Sequence, residues 1–224
     1  HEHGIKYLIF LGSACIYPKY AEQPIKENAI LSGALEPTNE PYALAKIAGI
    51  KLCESYYKQH RDNFISIMPN NLYGPNDNFN PDTSHVIPAL IQKFHNAKVA
   101  RSNYVEIWGT GNPLREFLHV DDLSEAILFI IKNIKAEEIY NKGISHINVG
   151  SGEELSIKEL TFMIKKIVGY KGEIEFDNSK PDGTPRKFLD TTILTKEGWR
   201  AKIKLEYGLK ELYKHYQKNV YQKN

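Results

Sequence analysis

The chain has 224 residues, of which 42% are hydrophobic and 25% charged, and its formal net charge is +2. This is the composition of a globular protein, and the sequence shows neither a block of like charges nor an apolar run of transmembrane length. Two cysteines, Cys15 and Cys53, are too few for a disulfide framework or a zinc site. We therefore expect a cytoplasmic protein that binds no nucleic acid, membrane or metal.

Two apolar runs in the first part of the chain predict strands. Residues 7–11 run without interruption into Gly12, which indicates a strand buried on both faces, and residues 64–68 indicate a second one. Ligands bind beyond the carboxyl ends of strands in open α/β sheets. Ser13 and Cys15 follow the first strand directly, so they are candidate site residues, although a turn serine and a small buried cysteine would look the same.

A helix is predicted between these two strands, beginning near Tyr42 and running to about His60. Pro41 suits its first turn, and Asn39 or Glu40 could cap it. Tyr42 and Lys46 are four residues apart and therefore project from one helix face. A nearby ammonium stabilises a phenolate, so the pair could donate a proton, but a solvated helix face would show the same spacing.

The rest of the chain mixes helices and strands less regularly. Asp121 and Asp122 are predicted to cap one helix, and Ser156 with Glu159 forms a capping box for another. Strands are predicted at 104–108, 115–120, 147–149 and 172–176, and helices at 85–94, 123–131, 157–168 and from about 205. This order predicts an α/β protein: a Rossmann-like doubly wound parallel sheet with a smaller α/β lobe.

A dinucleotide-binding sheet should carry G-x-G-x-x-G after its first strand, and this chain has no such motif. It also opens without an initiator Met. We therefore expect the first nucleotide-binding half to lie upstream of residue 1, and the fragment by itself to be inactive or nearly so.

Ser13, Tyr42 and Lys46 together resemble the catalytic triad of the extended short-chain dehydrogenase/reductases. The longer motifs are similar to those of the GDP-L-fucose synthases within that family, which epimerise and reduce GDP-4-keto-6-deoxy-D-mannose with NADPH. These motifs are Gly12-Ser-Ala-Cys-Ile-Tyr-Pro-Lys19, Glu36-Pro-Thr-Asn-Glu-Pro-Tyr-Ala-Leu-Ala-Lys46, Asn71-Leu-Tyr-Gly-Pro75, Ser84-His-Val-Ile-Pro-Ala-Leu90 and Arg115-Glu-Phe-Leu-His-Val-Asp-Asp122.

The resemblance implies a role for each matching residue. Tyr42 would be the acid at O4, Lys46 its partner and a contact of the nicotinamide ribose, and Ser13 a donor to the substrate carbonyl. Cys15 would be the base at C3 and C5, and His85 the acid on the opposite face. The implied NADP(H)-contacting residues are Leu11, Gly12, Ser13, Ala14, Lys46, Pro69, Asn70, Asn71, Leu72 and His85, and those implied to hold the GDP-sugar are Lys93, Trp108, Arg115, Asp182 and Lys187.

Judged without the resemblance, some of these residues have simpler interpretations. His85 could be a surface cap, Trp108 a core residue and Lys187 a solvated loop charge. The chain also departs from the family pattern at Ala14, at Asn70 and at Lys93, where a lysine lacks the planar fork of arginine.

The resemblance also implies two domains that bind different ligands, and a homodimer. Residues 1–80 and 115–150 would be the remaining dinucleotide-binding domain, and residues 81–114 and 151–224 the GDP-sugar-binding domain. The dimer would pair through the Tyr42 helix, whose Ile50, Leu52 and Tyr57 suit an interface as well as a core. Two alternatives stay open: a related GDP-keto-sugar enzyme, such as a 6-deoxy-heptose epimerase or a 4-reductase, and a catalytically inactive fragment that binds sugar nucleotides. A 4,6-dehydratase fits less well, because Ala14 and Cys15 stand where it needs an Asp-Glu pair, and a 4-epimerase would have no need of Cys15 and His85.

Overall fold

The computed structural model describes residues 1–81 and 83–221. It divides into two compact units. The first comprises residues 1–71, 116–153 and 187–202, and the second comprises residues 72–115, 154–186 and the chain from Ile203 on.

The helices and strands of both units are numbered in chain order. The strands are β1 (Tyr7–Leu11), β2 (Asn63–Pro69), β3 (Asn71–Tyr73), β4 (Tyr104–Trp108), β5 (Leu114–His119), β6 (Ile147–Val149), β7 (Glu154–Ser156), β8 (Glu173–Asp177) and β9 (Arg186–Lys187). The helices are α1 (Glu40–His60), α2 (Val86–Ala100), α3 (Val120–Asn133), α4 (Ala136–Tyr140), α5 (Ile157–Val168), α6 (Thr192–Lys196) and α7 (Leu205–His215).

The first unit contains a parallel sheet in the order β1–β2–β6, which confirms the predicted parallel α/β arrangement. Leu11 pairs with Ile67, and Ile67 pairs with Ile147 on its other side. The central strand β2 is deeply buried, with Ile65, Ile67 and Met68 almost fully covered. Parallel pairing brings the carboxyl ends of these strands to one edge of the sheet, where the candidate residues were expected.

The expectation that the first strand is buried on both faces is wrong. Tyr7, Leu8 and Leu11 all lie substantially exposed. In the described sheet β1 occupies the edge and is hydrogen-bonded to β2 along one side. An apolar run predicts a strand, but its burial depends on which elements cover it.

The helix α1 begins and ends close to its predicted bounds, with Pro41 in the first turn. Asn39 occupies the N-cap position, but its side chain makes no capping hydrogen bond. The apolar residues that α1 buries recur at helical spacing: Ala43, Ile47, Ile50, Cys53 and Tyr57. This stripe packs the helix against β1 and β2.

Two of the predicted helix caps have different outcomes. The capping box of Ser156 and Glu159 is confirmed at the start of α5. The predicted cap of α3 is wrong, because the helix begins at Val120 and the ring of His119 accepts the hydrogen bond from the Asp121 N–H at 3.2 Å. Asp122 is instead buried, where its carboxylate accepts from the Lys202 N–H at 3.1 Å.

The second unit pairs β4 with β8 in parallel, and α2, α5 and α7 pack in sequence beside this pair. Its buried apolar residues include Leu90, Phe94, Val105, Ile107, Leu160, Ile164, Leu209 and Leu212. The short strands β3, β5 and β7 pair in that order, and β9 also pairs with β5. None of the helices in the described ranges is long and apolar enough to cross a bilayer.

Candidate functional site

The turn that follows β1 is tightly built. The Gly12 N–H donates to the Ile67 carbonyl at 2.9 Å, and a Cβ on Gly12 would lie 2.1 Å from the Met68 methyl carbon. Ser13 then caps a short 3₁₀ turn over residues 14–16, with its Oγ accepting from the Cys15 N–H at 3.3 Å. Gly12 therefore leaves room for the end of the Met68 side chain, and the turn sets Ser13 and Cys15 beyond the end of the strand.

Tyr42 and Lys46 lie together on the first turns of α1, as their spacing predicts. The Lys46 Nζ is 5.6 Å from the centroid of the Tyr42 ring and donates to the Leu11 carbonyl at 2.8 Å. The Tyr42 side chain is open to solvent, with 49% of the residue exposed. The hydrogen bond to Leu11 ties the ammonium to the carboxyl end of β1, so the phenol and the ammonium flank the same strand end as Ser13.

Cys15 has a charged neighbour that the sequence did not indicate. The Nζ of Lys187 lies 3.7 Å from its Sγ, and both residues are half-buried. The interpretation of Lys187 as a solvated loop charge is therefore wrong. Lys187 belongs to the first unit and reaches the turn after β1 from far along the chain.

A buried carboxylate lies beside the loops that follow β2 and β6. Glu116 is fully buried, and it accepts hydrogen bonds from the Asn70 side-chain amide at 2.5 Å, the Gly152 N–H at 2.7 Å and the Leu189 N–H at 3.2 Å. Burial raises the pKa of Glu116, while these hydrogen bonds act in the opposite direction. The Asn71 amide also donates to the Glu116 carbonyl at 2.9 Å.

Glu116 was not among the predicted site residues, although a signal was present. Glu116 directly precedes the apolar pair Phe117 and Leu118 in β5, and an acidic residue in a buried strand is rare unless its carboxylate is paired or hydrogen-bonded. That signal pointed to a buried polar contact, but it could not say which backbone amides would meet the carboxylate.

Trp108 of the second unit is not a core residue, because 65% of it is exposed. The Nζ atoms of Lys93 and Lys180 lie 5.9 Å and 5.6 Å from its ring. Lys93 also donates to the Glu106 carbonyl at 2.8 Å. The arrangement is an exposed aromatic face beside two ammonium groups, of which only Lys93 was predicted from the sequence.

Asp182 is engaged in holding a turn. Its two carboxylate oxygens accept from the Thr110 N–H and hydroxyl, each at 2.7 Å, and the preceding Gly109 has a φ of 81°. Burial lowers the pKa of the Arg115 guanidinium, and the nearby Asp182 carboxylate partly opposes this effect. Asp182 thus links Arg115 to the turn that ends β4.

The predicted site residues divide between the two units. The first unit contains Leu11, Gly12, Ser13, Ala14, Cys15, Tyr42, Lys46, Pro69, Asn70, Asn71 and Lys187, and the second contains Leu72, His85, Lys93, Trp108, Arg115 and Asp182. His85 is exposed at the N-cap position of α2, and its side chain makes no capping hydrogen bond. His85 therefore lies at the surface at the start of α2, as its simpler interpretation expected, although its side chain does not cap the helix.

Comparison with known proteins assigns the family. Residues 1–150 match the NAD dependent epimerase/dehydratase family. The chain belongs to this family. The match covers most of the chain, including the turn after β1 and the whole of α1, and so confirms the family-level part of the resemblance drawn from the motifs.

Similar proteins include several named GDP-L-fucose synthases. The chain is 55% identical to a probable GDP-L-fucose synthase 1 of Oryza sativa subsp. japonica, over 97% of this chain and 64% of the relative. It is 53% identical to the GDP-L-fucose synthase of Escherichia coli K12, over 98% of this chain and 69% of that enzyme. A solved GDP-mannoheptose C4 reductase from Campylobacter jejuni with NADP bound is 37% identical, with a TM-score of 0.85 over 95% of this chain and 70% of that one. The chain thus spans about two thirds of the length of these relatives.

Proposed function

We propose that the protein converts GDP-4-keto-6-deoxy-D-mannose to GDP-L-fucose by 3,5-epimerisation and NADPH-dependent 4-reduction. The observation that carries the proposal is the pairing of an exposed Tyr42 with the Lys46 ammonium at the carboxyl end of a parallel strand. The identity to GDP-L-fucose synthases over nearly the whole chain supports the choice of substrate.

The reductive step uses groups at the edge of the parallel sheet. NADP(H) supplies a hydride when bound, and the backbone around Leu11 to Ala14 and Pro69 to Leu72 is the proposed contact region. The glycine turn at the end of β1 fits such a ligand, because the carboxyl ends of parallel strands form the usual cofactor crevice. Tyr42 holds the proton that passes to O4, and the Lys46 ammonium stabilises the phenolate that remains.

The epimerisation uses a different pair of groups. Protons alpha to a ketone are only modestly acidic, so their removal needs an activated base and a polarised carbonyl. Cys15 is the proposed base at C3 and C5, and Ser13 the donor to the carbonyl. His85 of the second unit is the proposed acid that returns the proton on the opposite face. In each inversion one C–H bond breaks and one forms, with no net oxidation.

The second unit is the proposed site for the GDP-sugar, and the first unit is the proposed cofactor domain. Trp108 offers an exposed aromatic face, and Lys93 offers a cation beside it. Arg115 and Lys93 suit a diphosphate, because charge-assisted hydrogen bonds to phosphate are strong. Asp182 is proposed as a further contact, in addition to its hydrogen bonds with Thr110.

The test is product analysis by NMR. The full-length protein would be incubated in D₂O with GDP-4-keto-6-deoxy-D-mannose and NADPH, beside Cys15→Ser and Tyr42→Phe variants. We expect GDP-L-fucose with deuterium at C3 and C5, with exchange impaired in Cys15→Ser and reduction impaired in Tyr42→Phe. Deuterium incorporation that is unchanged in Cys15→Ser would refute the assignment of the base.

A plain GDP-keto-sugar C4 reductase is the second candidate. The similarity to the Campylobacter jejuni C4 reductase supports it, since that enzyme shares 37% identity with this chain. The same incubation separates the two functions, because a reductase would yield a reduced sugar without deuterium. No turnover with this substrate would favour a different keto-sugar, such as a 6-deoxy-heptose.

We also propose a cytoplasmic homodimer that pairs through α1. Ile50 and Tyr57, which the sequence left open between an interface and a core, are buried within the chain and so belong to its core. Leu44 and Leu52 support the interface, because both are exposed on α1 and lie eight residues apart on one face. Cys15 and Cys53 are both free thiols, as a reducing compartment would keep them.

A further inference from the structure

Lys187 lies against the thiol to which the proposed function gives proton removal at C3 and C5. Its Nζ is 3.7 Å from the Cys15 Sγ, although the two residues are 172 positions apart in the chain. Both residues are half-buried, so water screens the contact only partly. An ammonium this close to a sulfur attracts the negative charge that the sulfur carries as a thiolate, because opposite charges attract strongly where water is partly excluded.

The backbone is held on both sides of the Lys187 side chain. The Asn70 amide donates to the Lys187 carbonyl at 3.4 Å, and the Leu189 N–H donates to Oε2 of Glu116 at 3.2 Å. The same Asn70 amide also donates to this Oε2 at 2.5 Å. One buried carboxylate oxygen and one amide therefore anchor the segment that presents the ammonium to Cys15.

The other carboxylate oxygen of Glu116 is also held by neighbouring polar groups. Its Oε1 accepts from the Gly152 N–H at 2.7 Å and lies 3.5 Å from the Ser151 hydroxyl. A Cβ on Gly150 would lie 2.4 Å from this oxygen, so glycine is required beside it. Each of these hydrogen bonds is donated to the carboxylate. A glutamine at position 116 would turn an N–H₂ group toward one of the donors.

We propose that Lys187 is a catalytic residue that stabilises the Cys15 thiolate, and that Glu116 is the positioning residue that holds it there through Asn70 and Leu189. The role of the thiolate on the sugar rests on the proposed function. When the thiolate removes a proton, the C–H bond breaks, the proton moves to sulfur, and the electron pair stays on the sugar as an enolate. Lys187 keeps its protons throughout.

The proposal is tested by the rate at which iodoacetamide alkylates each cysteine of the full-length protein at neutral pH, followed by peptide mass spectrometry. We expect Lys187→Gln to slow the alkylation of Cys15 about tenfold, the size of effect that a neighbouring charge typically has on an ionisable group. Lys187→Arg should retain much of the parent rate. Lys196→Gln is the matched control, since it removes an exposed lysine on α6 and should leave the rate unchanged.

Cys53 serves as an internal control for the fold, because it is buried in α1. A loosened structure would expose Cys53 and speed its alkylation. Displacement of Lys187 alone would slow the alkylation of Cys15 and leave Cys53 protected. Glu116→Gln should give the second pattern, with a smaller slowing than Lys187→Gln. If Glu116→Gln exposes Cys53, Asn70→Ala decides the same question, since it removes the amide that joins Glu116 to the Lys187 carbonyl.

Two results would overturn the proposal. Parent-like alkylation of Cys15 in Lys187→Gln would remove the role of the ammonium. Parent-like alkylation of Cys15 in folded Glu116→Gln and Asn70→Ala would remove the positioning role. Alkylation needs no substrate, so a dependence on Lys187 without deuterium exchange in the NMR assay would refute the proposed function while leaving this inference intact.

Discussion

At the scale of single residues, a buried polar cluster in the first unit contains two groups with opposite responses to pH. The Tyr17 hydroxyl lies 2.6 Å from Nε2 of His146, and Glu27 accepts from the Asn148 N–H at 3.1 Å. Burial lowers the pKa of His146 to about 3 and raises that of Glu27 to about 7. Glu27 is therefore neutral between about pH 4.5 and about pH 7, where its ordinary pKa would make it charged. His146 is neutral between about pH 3 and about pH 6.5 in the same sense.

The signs of the two contributions to stability follow from linkage. Glu27 contributes stability below its ordinary pKa of 4.5, and this is lost as the pH rises through about 7. His146 contributes stability above its ordinary pKa of 6.5, and this is lost as the pH falls toward 3. Between these ordinary values the two contributions change in opposite directions, so they cancel in the parent protein.

Glu27→Gln should reveal the histidine contribution. We expect the free energy of unfolding of the variant to rise by roughly 3 kcal/mol between about pH 4.5 and about pH 6.5, while the parent changes much less. Urea denaturation across this range measures it. Glu22→Gln, which removes an exposed carboxylate nearby, should follow the parent curve. A Glu27→Gln curve parallel to the parent would contradict the assignment.

Trp108 provides an optical test of the proposed sugar-nucleotide site. The chain has two tryptophans, and the other one, Trp199, is buried. GDP is expected to quench the fluorescence of the parent and of Trp199→Phe, but not of Trp108→Phe. Trp108→Ala, which removes the aromatic ring altogether, should weaken GDP binding by about 1 kcal/mol, the contribution that an aromatic contact typically makes in addition to the apolar area it buries. Undiminished quenching in Trp108→Phe would place GDP elsewhere.

At the scale of elements, α1 approaches β1 closely through one glycine. A Cβ on Gly49 would lie 2.2 Å from the edge of the Phe10 ring, and Lys46 lies 5.3 Å from the centroid of that ring. The glycine therefore sets how near the helix that carries Tyr42 comes to the strand end. Moving the helix would move the ammonium as well.

Gly49→Ala should destabilise the protein. Overpacking typically costs about 1–3 kcal/mol, which exceeds the roughly 1 kcal/mol that alanine gains over glycine in a helix. Urea denaturation of Gly49→Ala, Phe10→Leu and the double variant measures the coupling. Phe10→Leu should relieve the clash, so the double variant should lose less stability than the sum of the two single changes. Purely additive losses would contradict the contact.

At the scale of the whole molecule, the proposed homodimer makes a prediction about exposed apolar residues. Leu52 on α1 is 59% exposed, and Phe162 on α5 is 47% exposed. Leu52→Glu should give a monomer in sedimentation velocity, because a charge would be buried at the interface. Phe162→Glu, a matched change on the other unit, should remain dimeric. If Leu52→Glu remained dimeric, this face of α1 would be excluded as the dimer interface.

Local patterns predicted the elements well where the signal lies within a few residues. The bounds of α1 and β4, the capping box at Ser156 and the start of α7 all follow from apolar periodicity and caps. The exposure of β1 did not follow, because it depends on which elements cover the strand. The cap of α3 is a local contact between His119 and the Asp121 N–H, but it was missed because aspartate is a far commoner cap than a histidine ring.

By itself the sequence determined the family, the parallel α/β class and the identity of the residues proposed for chemistry, since motifs and periodicity are properties of short segments. The catalytic, cofactor and sugar assignments stay predictions. The tertiary structure alone decided that Lys187 meets Cys15 and that Glu116 meets Asn70, because these partners lie 172 and 46 residues apart. No local propensity encodes a contact of that separation, which forms only when the strands and their loops are packed together.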